Sequence, residues 1–109
     1  MDEEKYNVHF ELISLAGTAR SLAMEAIEEA RNGNTEEAKR LTAESRETHV
    51  KAHKKMFGML EDEANGRPVE INIIAVHAQD HIAMATTAID MAEEIIHLYE
   101  LIYQKEEKR

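Results

Sequence analysis

The stretch INIIAVHAQDHIAMATTAIDMAEEIIHLYELI, residues 71–102, decides how the chain folds, because its apolar residues recur in steps of four and three along two adjacent tracks. Ile74, Ala78, His81, Ala85, Ala88, Ala92, Ile95, Tyr99 and Ile102 make one track; Ile73, His77, Asp80, Met84, Thr87, Met91, Glu94 and Leu98 make the other. Each is the pattern of one helical face. Two further helices of the same chain can cover one such seam, but a second seam on so long a helix asks for another surface. Spacing alone leaves two outcomes open: a homo-oligomer with this helix at its centre, or a monomer with a wide core face.

Upstream, the breaks in the pattern mark two more helices. The first is expected from about Glu4 to Asn32, closed by Gly33 as a left-handed cap. Its stripe is Leu12, Ala16, Ala19, Ala23, Ala26 and Ala30, so small side chains face a partner and the helices can approach closely. Asn34 or Thr35 is expected to cap the second helix, with Glu36 and Glu37 in its first turn, and it should end near Asn65. Its stripe is weaker and more polar: Ala38, Leu41, Ser45, Thr48, Ala52, Met56 and Met59. Gly66 and Pro68 then break the chain, and the third helix is expected from about Val69 to Lys105. No stretch alternates like a strand. Short connections predict an all-α fold of three long antiparallel helices in one domain, residues 1–109.

Composition narrows the function. The formal charge is -9, which repels nucleic acid and anionic membrane surfaces. No run of 18 apolar residues exists, and the start MDEEKYNVHF has no apolar signal region, so a soluble cytoplasmic protein without membrane insertion is expected. Cysteine is absent, which removes disulfides, thiolate metal sites and thiol nucleophiles.

The chemistry concentrates in HAQDH, where His77, Asp80 and His81 stand at i, i+3 and i+4 and share one side of a helix. Three readings fit. A His pair at this spacing binds zinc, and HAQDH imitates the H-x-x-E-H pattern of some metalloproteases, but Asp shortens the base and no loop-rich region supplies a cleft. A neutral histidine with one nitrogen exposed and the other held by an acceptor can take a phosphoryl group. The glycines, at 17, 33, 58 and 66, form no ATP-cradling loop, so the donor would be another phosphoprotein. The third reading makes His81 a hydrogen-bonded core histidine. Asp80 is harder to dismiss, because a carboxylate on an apolar seam is costly unless paired, hydrogen-bonded or metal-bound. His9, His49, His53 and His97 are scattered and gain no role from spacing.

VHAQDH, with LAGTARSLAMEA and RNGNTEEAKRL upstream and KAH ending 24 residues before His77, resembles the lactose/cellobiose family of enzyme IIA components. These belong to the bacterial phosphoenolpyruvate-dependent sugar phosphotransferase system. The resemblance covers nearly the whole chain. It implies a cytoplasmic homotrimer of three-helix subunits, a nine-helix bundle that takes a phosphoryl group from the phosphocarrier HPr and passes it to a cysteine of the IIB component. It implies phosphorylation at His77, and Asp80 from three subunits around a shared divalent cation, magnesium being the expected ion. Gln79 and His81 are then the nearest donors for the phosphoryl oxygens, and the transfer surface should be shallow and mostly apolar.

Two departures stand out. Family members carry Gln three residues after the KAH histidine, where this chain has Met56, and often read HAQDHLM where this chain reads HAQDHIAM. HAQDH favours the cellobiose/chitobiose branch over the HGQDH of the lactose branch. The sugar itself is not specified, because a IIA component handles phosphate rather than saccharide. The alternative from another class is a non-enzymatic metal-binding, regulatory or scaffolding trimer in which His77 and His81 coordinate or pack.

Overall fold

The computed structural model describes residues 3–108, with side chains from Tyr6 onward. Three helices follow one another: α1 (Glu3–Arg31), α2 (Thr35–Ala64) and α3 (Ile73–Glu107). They form an elongated bundle of 62 × 26 × 18 Å. One end of the core joins Leu12, Ala16, Ala52, Ala78, Ile82 and Ala85; the middle joins Ala19, Ala23, Ile89 and Ala92; the far end joins Ala26, Ala30, Ala38, Leu41 and Ile96. Residue numbers rise together along α1 and α3 and fall along α2, so the path is up, down, up.

Both glycine breaks act as the sequence predicts. Gly33 adopts φ 86°, its N–H donates to the Ala30 carbonyl at 3.0 Å, and Asn34 N–H donates to Glu29 O at 2.9 Å. Gly66 repeats the turn with φ 80°, with Gly66 N–H to Glu63 O and Arg67 N–H to Asp62 O. Each turn recovers carbonyls that a helix end leaves unpaired, and only glycine enters this region of φ without steric cost. Asn34 occupies the cap position of α2, but its side chain does not cap: its Nδ2 donates to Glu29 Oε2 at 2.7 Å instead. Thr35 is the first helical residue, so the first turn relies on Glu36 and Glu37 against the helix dipole.

The start of α3 differs from expectation. Val69, Glu70 and Ile71 are not helical, and the helix begins at Ile73. Pro68 lacks an N–H, and Asn72, extended at φ -143° and ψ 177°, accepts the Ala75 N–H on its side chain at 2.8 Å, which fixes the boundary.

The alanine stripe of α1 is fully buried as predicted, and His9 extends it by one step. On α2, Ala38, Leu41, Ser45 and Ala52 are buried, while Thr48, Met56 and Met59 are half-buried. The core line of α3 is Ala75, Ala78, Ile82, Ala85, Ile89, Ala92 and Ile96. It shares three alanines with the first predicted track but replaces His81, Ala88 and Ile95 with the neighbouring isoleucines, because α1 lies squarely over that line. The second track lies outside the core: Ile73 is 87%, Met84 38%, Met91 56% and Leu98 58% exposed. The chain therefore does not use that seam as a wide core face of its own.

α1 packs closely along both other helices, whereas α2 and α3 stand farther apart. Polar contacts fill part of that gap. Arg46 reaches Asp90 at 2.9 Å and Glu93 at 2.5 Å, and Lys39 reaches Glu100 at 3.2 Å. The Arg46 guanidinium holds the Glu93 carboxyl below its ordinary range. At the bundle's end, the Tyr103 hydroxyl donates to the Arg31 carbonyl of α1.

His49 sits in the same gap, 6% exposed, with Nε2 2.7 Å from Thr86 Oγ1. The Thr86 hydroxyl donates to Ile82 O, so the ring must be the donor to Thr86. Its Nδ1 is buried without a partner among the described residues, and the His53 ring stands edge-on at 4.5 Å. Burial, then the nearby His53 and Arg46, lower its pKa from the ordinary 6.5, against a smaller opposing pull from Asp90. The unfolded chain therefore binds this proton more readily, and stability falls as pH drops below 6.5. Between about pH 7.5 and 5, the melting temperature of the native chain should fall more steeply than that of His49→Gln. Parallel pH profiles would remove His49 from the account.

Candidate functional site

The site is built on the first two turns of α3, where the Asn72 cap starts the helix and the four-residue spacing stacks His77 below His81. Their rings meet edge to face, with centroids 4.4 Å apart at 89°, and the two Nε2 atoms lie 3.0 Å apart. One nitrogen carries the hydrogen and the other presents its lone pair. His77 is exposed and His81 half-buried, so the pair is open to a reaction partner from the His77 side.

His81 does not lie on the inner seam. Ile82 takes that place, and His81 turns along the helix surface to bond His77 instead of settling among apolar neighbours. That contact sets aside the core-histidine reading.

Asp80 lies on the same side of the helix as the pair, Gln79 projects to the far rim of the same depression, and both are exposed. Neither side chain has a hydrogen bond or ion pair among the described residues. Asn72, Ile73, Val76, His77, Gln79 and Asp80 line an open depression. Ile73 and Val76 give it an exposed apolar rim beside His77.

Among the described residues, no three His, Cys, Asp or Glu side chains gather closely enough to hold a metal ion. The His pair within one chain therefore lacks the third ligand that a zinc site requires. Asp80 is likewise a single carboxylate per chain, and no helix among the described residues is long and apolar enough to cross a membrane.

Of the predicted site residues, His77 and His81 are brought into direct contact, with Gln79 and Asp80 beside them on the rim. Asn72 escaped the sequence reading, although an Asn just ahead of an apolar helical run is a cap signature. Met56 packs at the edge of the core cluster near Leu12 and Ala78.

Comparison with known proteins agrees with this geometry. Residues 7–100 match the family described as "PTS system, Lactose/Cellobiose specific IIA subunit". The chain is 42% identical over 105 residues to the lichenan-specific phosphotransferase enzyme IIA component of Bacillus subtilis (strain 168), covering 96% of each protein. The structure superposes with a TM-score of 0.93 on the PTS cellobiose-specific enzyme IIA of Bacillus anthracis, at 35% identity and 96% coverage of both chains. It matches the IIA subunit in the IIA(Chitobiose)–HPr complex of Escherichia coli with a TM-score of 0.81 and 32% identity, over 93% of this chain and 98% of that one. The chain belongs to the lactose/cellobiose-specific IIA family of the phosphotransferase system. It is a phosphotransferase component of sugar uptake, an all-α protein of three helices, as the resemblance implied.

Proposed function

We propose that His77 is the phosphoryl carrier, accepting its group from HPr and passing it to the cysteine of a IIB component of the cellobiose, chitobiose or lactose type in the cytoplasm. The observation that carries this reading is the solvent-open His77–His81 pair joined through Nε2. The E. coli relative solved in complex with HPr supports the choice of donor.

In the productive tautomer His81 Nε2–H points at His77 Nε2, which keeps its lone pair. As HPr docks, the His81 N–H leaves His77 Nε2 and turns to a phosphoryl oxygen; the freed lone pair attacks phosphorus, the nitrogen–phosphorus bond to HPr breaks, and the released electron pair stays on the HPr ring. His81 N–H then donates to an equatorial oxygen, and the Gln79 amide, which faces away from the His77 of its own helix, would reach another such oxygen from a neighbouring copy. In the second half-reaction a IIB thiolate attacks phosphorus and returns the lone pair to His77. Catalysis is mostly positioning and charge stabilisation.

The exposed track of Met84, Met91 and Leu98, beyond the His77 depression, supports a homotrimer in which three copies of α3 bury these side chains together. On such an axis three Asp80 carboxylates converge and repel, and each chain already carries a formal charge of -9. A divalent cation, magnesium by its preference for carboxylate and water oxygens, would be held by Asp80 of three chains and would neutralise that charge. One chain alone supplies a single such ligand, so the fit depends on assembly.

The deciding experiment incubates the native chain and His77→Ala with phosphoenolpyruvate, enzyme I and HPr, then weighs them intact. One acid-labile phosphoryl group per native chain and none on the variant is expected. An unmodified native chain would hand the lead to the metal-binding or scaffolding alternative. His81→Ala should slow transfer by roughly tenfold or more and Gln79→Ala by less, with folding retained in both; rates equal to native would remove their donor roles. Chelation should lower the melting temperature of the native chain and leave Asp80→Ala unaffected. An identical response in both would show that Asp80 holds no cation.

A further inference from the structure

Asn72 stands at the mouth of the site and takes no part in the chemistry above. It sits at the junction between the non-helical segment after Pro68 and α3, and its side chain lines the same depression as His77. Its Oδ1 accepts the Ala75 N–H at 2.8 Å, and its main-chain carbonyl accepts the Val76 N–H at 3.0 Å. Ala75 and Val76 are the two residues directly before His77. The His77 ring is exposed, and among the described residues its side chain bonds only to His81. The aim of its Nε2 at His81 is therefore set by the backbone of that first turn, whose open end Asn72 closes.

We infer that Asn72 is a positioning residue for phosphoryl transfer: its side-chain oxygen holds the first turn of α3 closed and thereby keeps His77 Nε2 against His81. This rests on the reading of His77 as the carrier. The first turn of a helix has no internal partner for its leading N–H groups and frays unless a side chain accepts them. Fraying from Ile73 to Val76 displaces His77 relative to His81, which lies one turn deeper in the helix. An exposed nucleophile displaced by an ångström loses much of its rate without any loss of chemical competence.

The other end of the amide separates this role from ordinary hydrogen bonding. Asn72 Nδ2 is buried and has no partner among the described residues, so it adds nothing to the hold and costs desolvation. The oxygen alone carries the function. Serine, an equally good cap with no amide nitrogen, should therefore serve in its place, whereas alanine should not.

The test compares the full native chain, Asn72→Ala and Asn72→Ser by nitrogen-15 NMR of the imidazoles and by phosphorylation with HPr. In the native chain the His77 and His81 ring nitrogens should show the unequal pattern of one donor and one acceptor. Asn72→Ala should lose that pattern and be phosphorylated roughly tenfold more slowly at saturating HPr, with little change in KM. Asn72→Ser should rescue both readouts. Unchanged imidazole spectra in Asn72→Ala overturn the proposal, and so does a serine variant as impaired as alanine, which would move the role to Nδ2. A native chain that HPr leaves unphosphorylated overturns the carrier reading before any variant is compared. A phosphorylated native chain with an unaltered alanine variant overturns the role of Asn72 alone.

Discussion

The structure depends on the close approach of α1 to both of its neighbours, made possible by five alanines on one face. Ala16, Ala19, Ala23, Ala26 and Ala30 bury almost completely, and the gaps above them are filled by Leu12, Ile82, Ile89 and Ile96. Each alanine contributes little area, so the hydrophobic gain comes from packing small faces tightly against larger side chains on the other helices. The largest fully buried side chains are Leu12, Ile89 and Ser45, a slender core for a bundle 62 Å long. A core this thin leaves the isolated chain short of buried apolar area, while a second apolar track stands uncovered on α3.

The same arrangement explains where polarity is tolerated. α1 takes the tight contacts, so α2 and α3 stand apart and their gap admits His49, Thr86 and the Arg46 ion pairs. The exposed ion pairs add little stability in water, each worth at most about 1 kcal/mol. Ser45 fits the crowded α1 contact because its hydroxyl donates to the Ala19 carbonyl, meeting a polar group that the close approach has cut off from water.

The site stands at the end of the bundle where the core cluster of Leu12, Ala52 and Ala78 begins. His77 lies outside the packed line of α3, one residue before Ala78, which is fully buried. His77 is thus held by rigid helix on one side and faces open surface on the other. The apolar rim of Ile73 and Val76 continues directly into the uncovered track, so the His77 depression and that track adjoin on one helix.

The helices, the left-handed cap at Gly33, the break at Gly66 and the alanine face were legible in the sequence because they follow from local rules: periodicity, steric access to positive φ, and side-chain size. The HAQDH constellation was legible because helical spacing alone puts His77, Asp80 and His81 on one side. The start of α3 was misplaced by a few residues, since Val69 and Ile71 continue the apolar composition and only the Asn72 hydrogen bond shows where the helix begins. His9 and His49 looked scattered because their burial depends on which helix lies opposite, although the three-residue step from His9 to Leu12 was there to be read. The inner line of α3 was displaced by one residue for the same reason: consecutive residues differ by about 100° around a helix, and only the position of α1 chooses between His81 and Ile82. The sequence thus determined which elements form and which residues can meet along one helix. The tertiary structure decided which face each helix turns inward, because that choice depends on contacts between residues distant in the chain, and it thereby left His77 and His81 paired in the open.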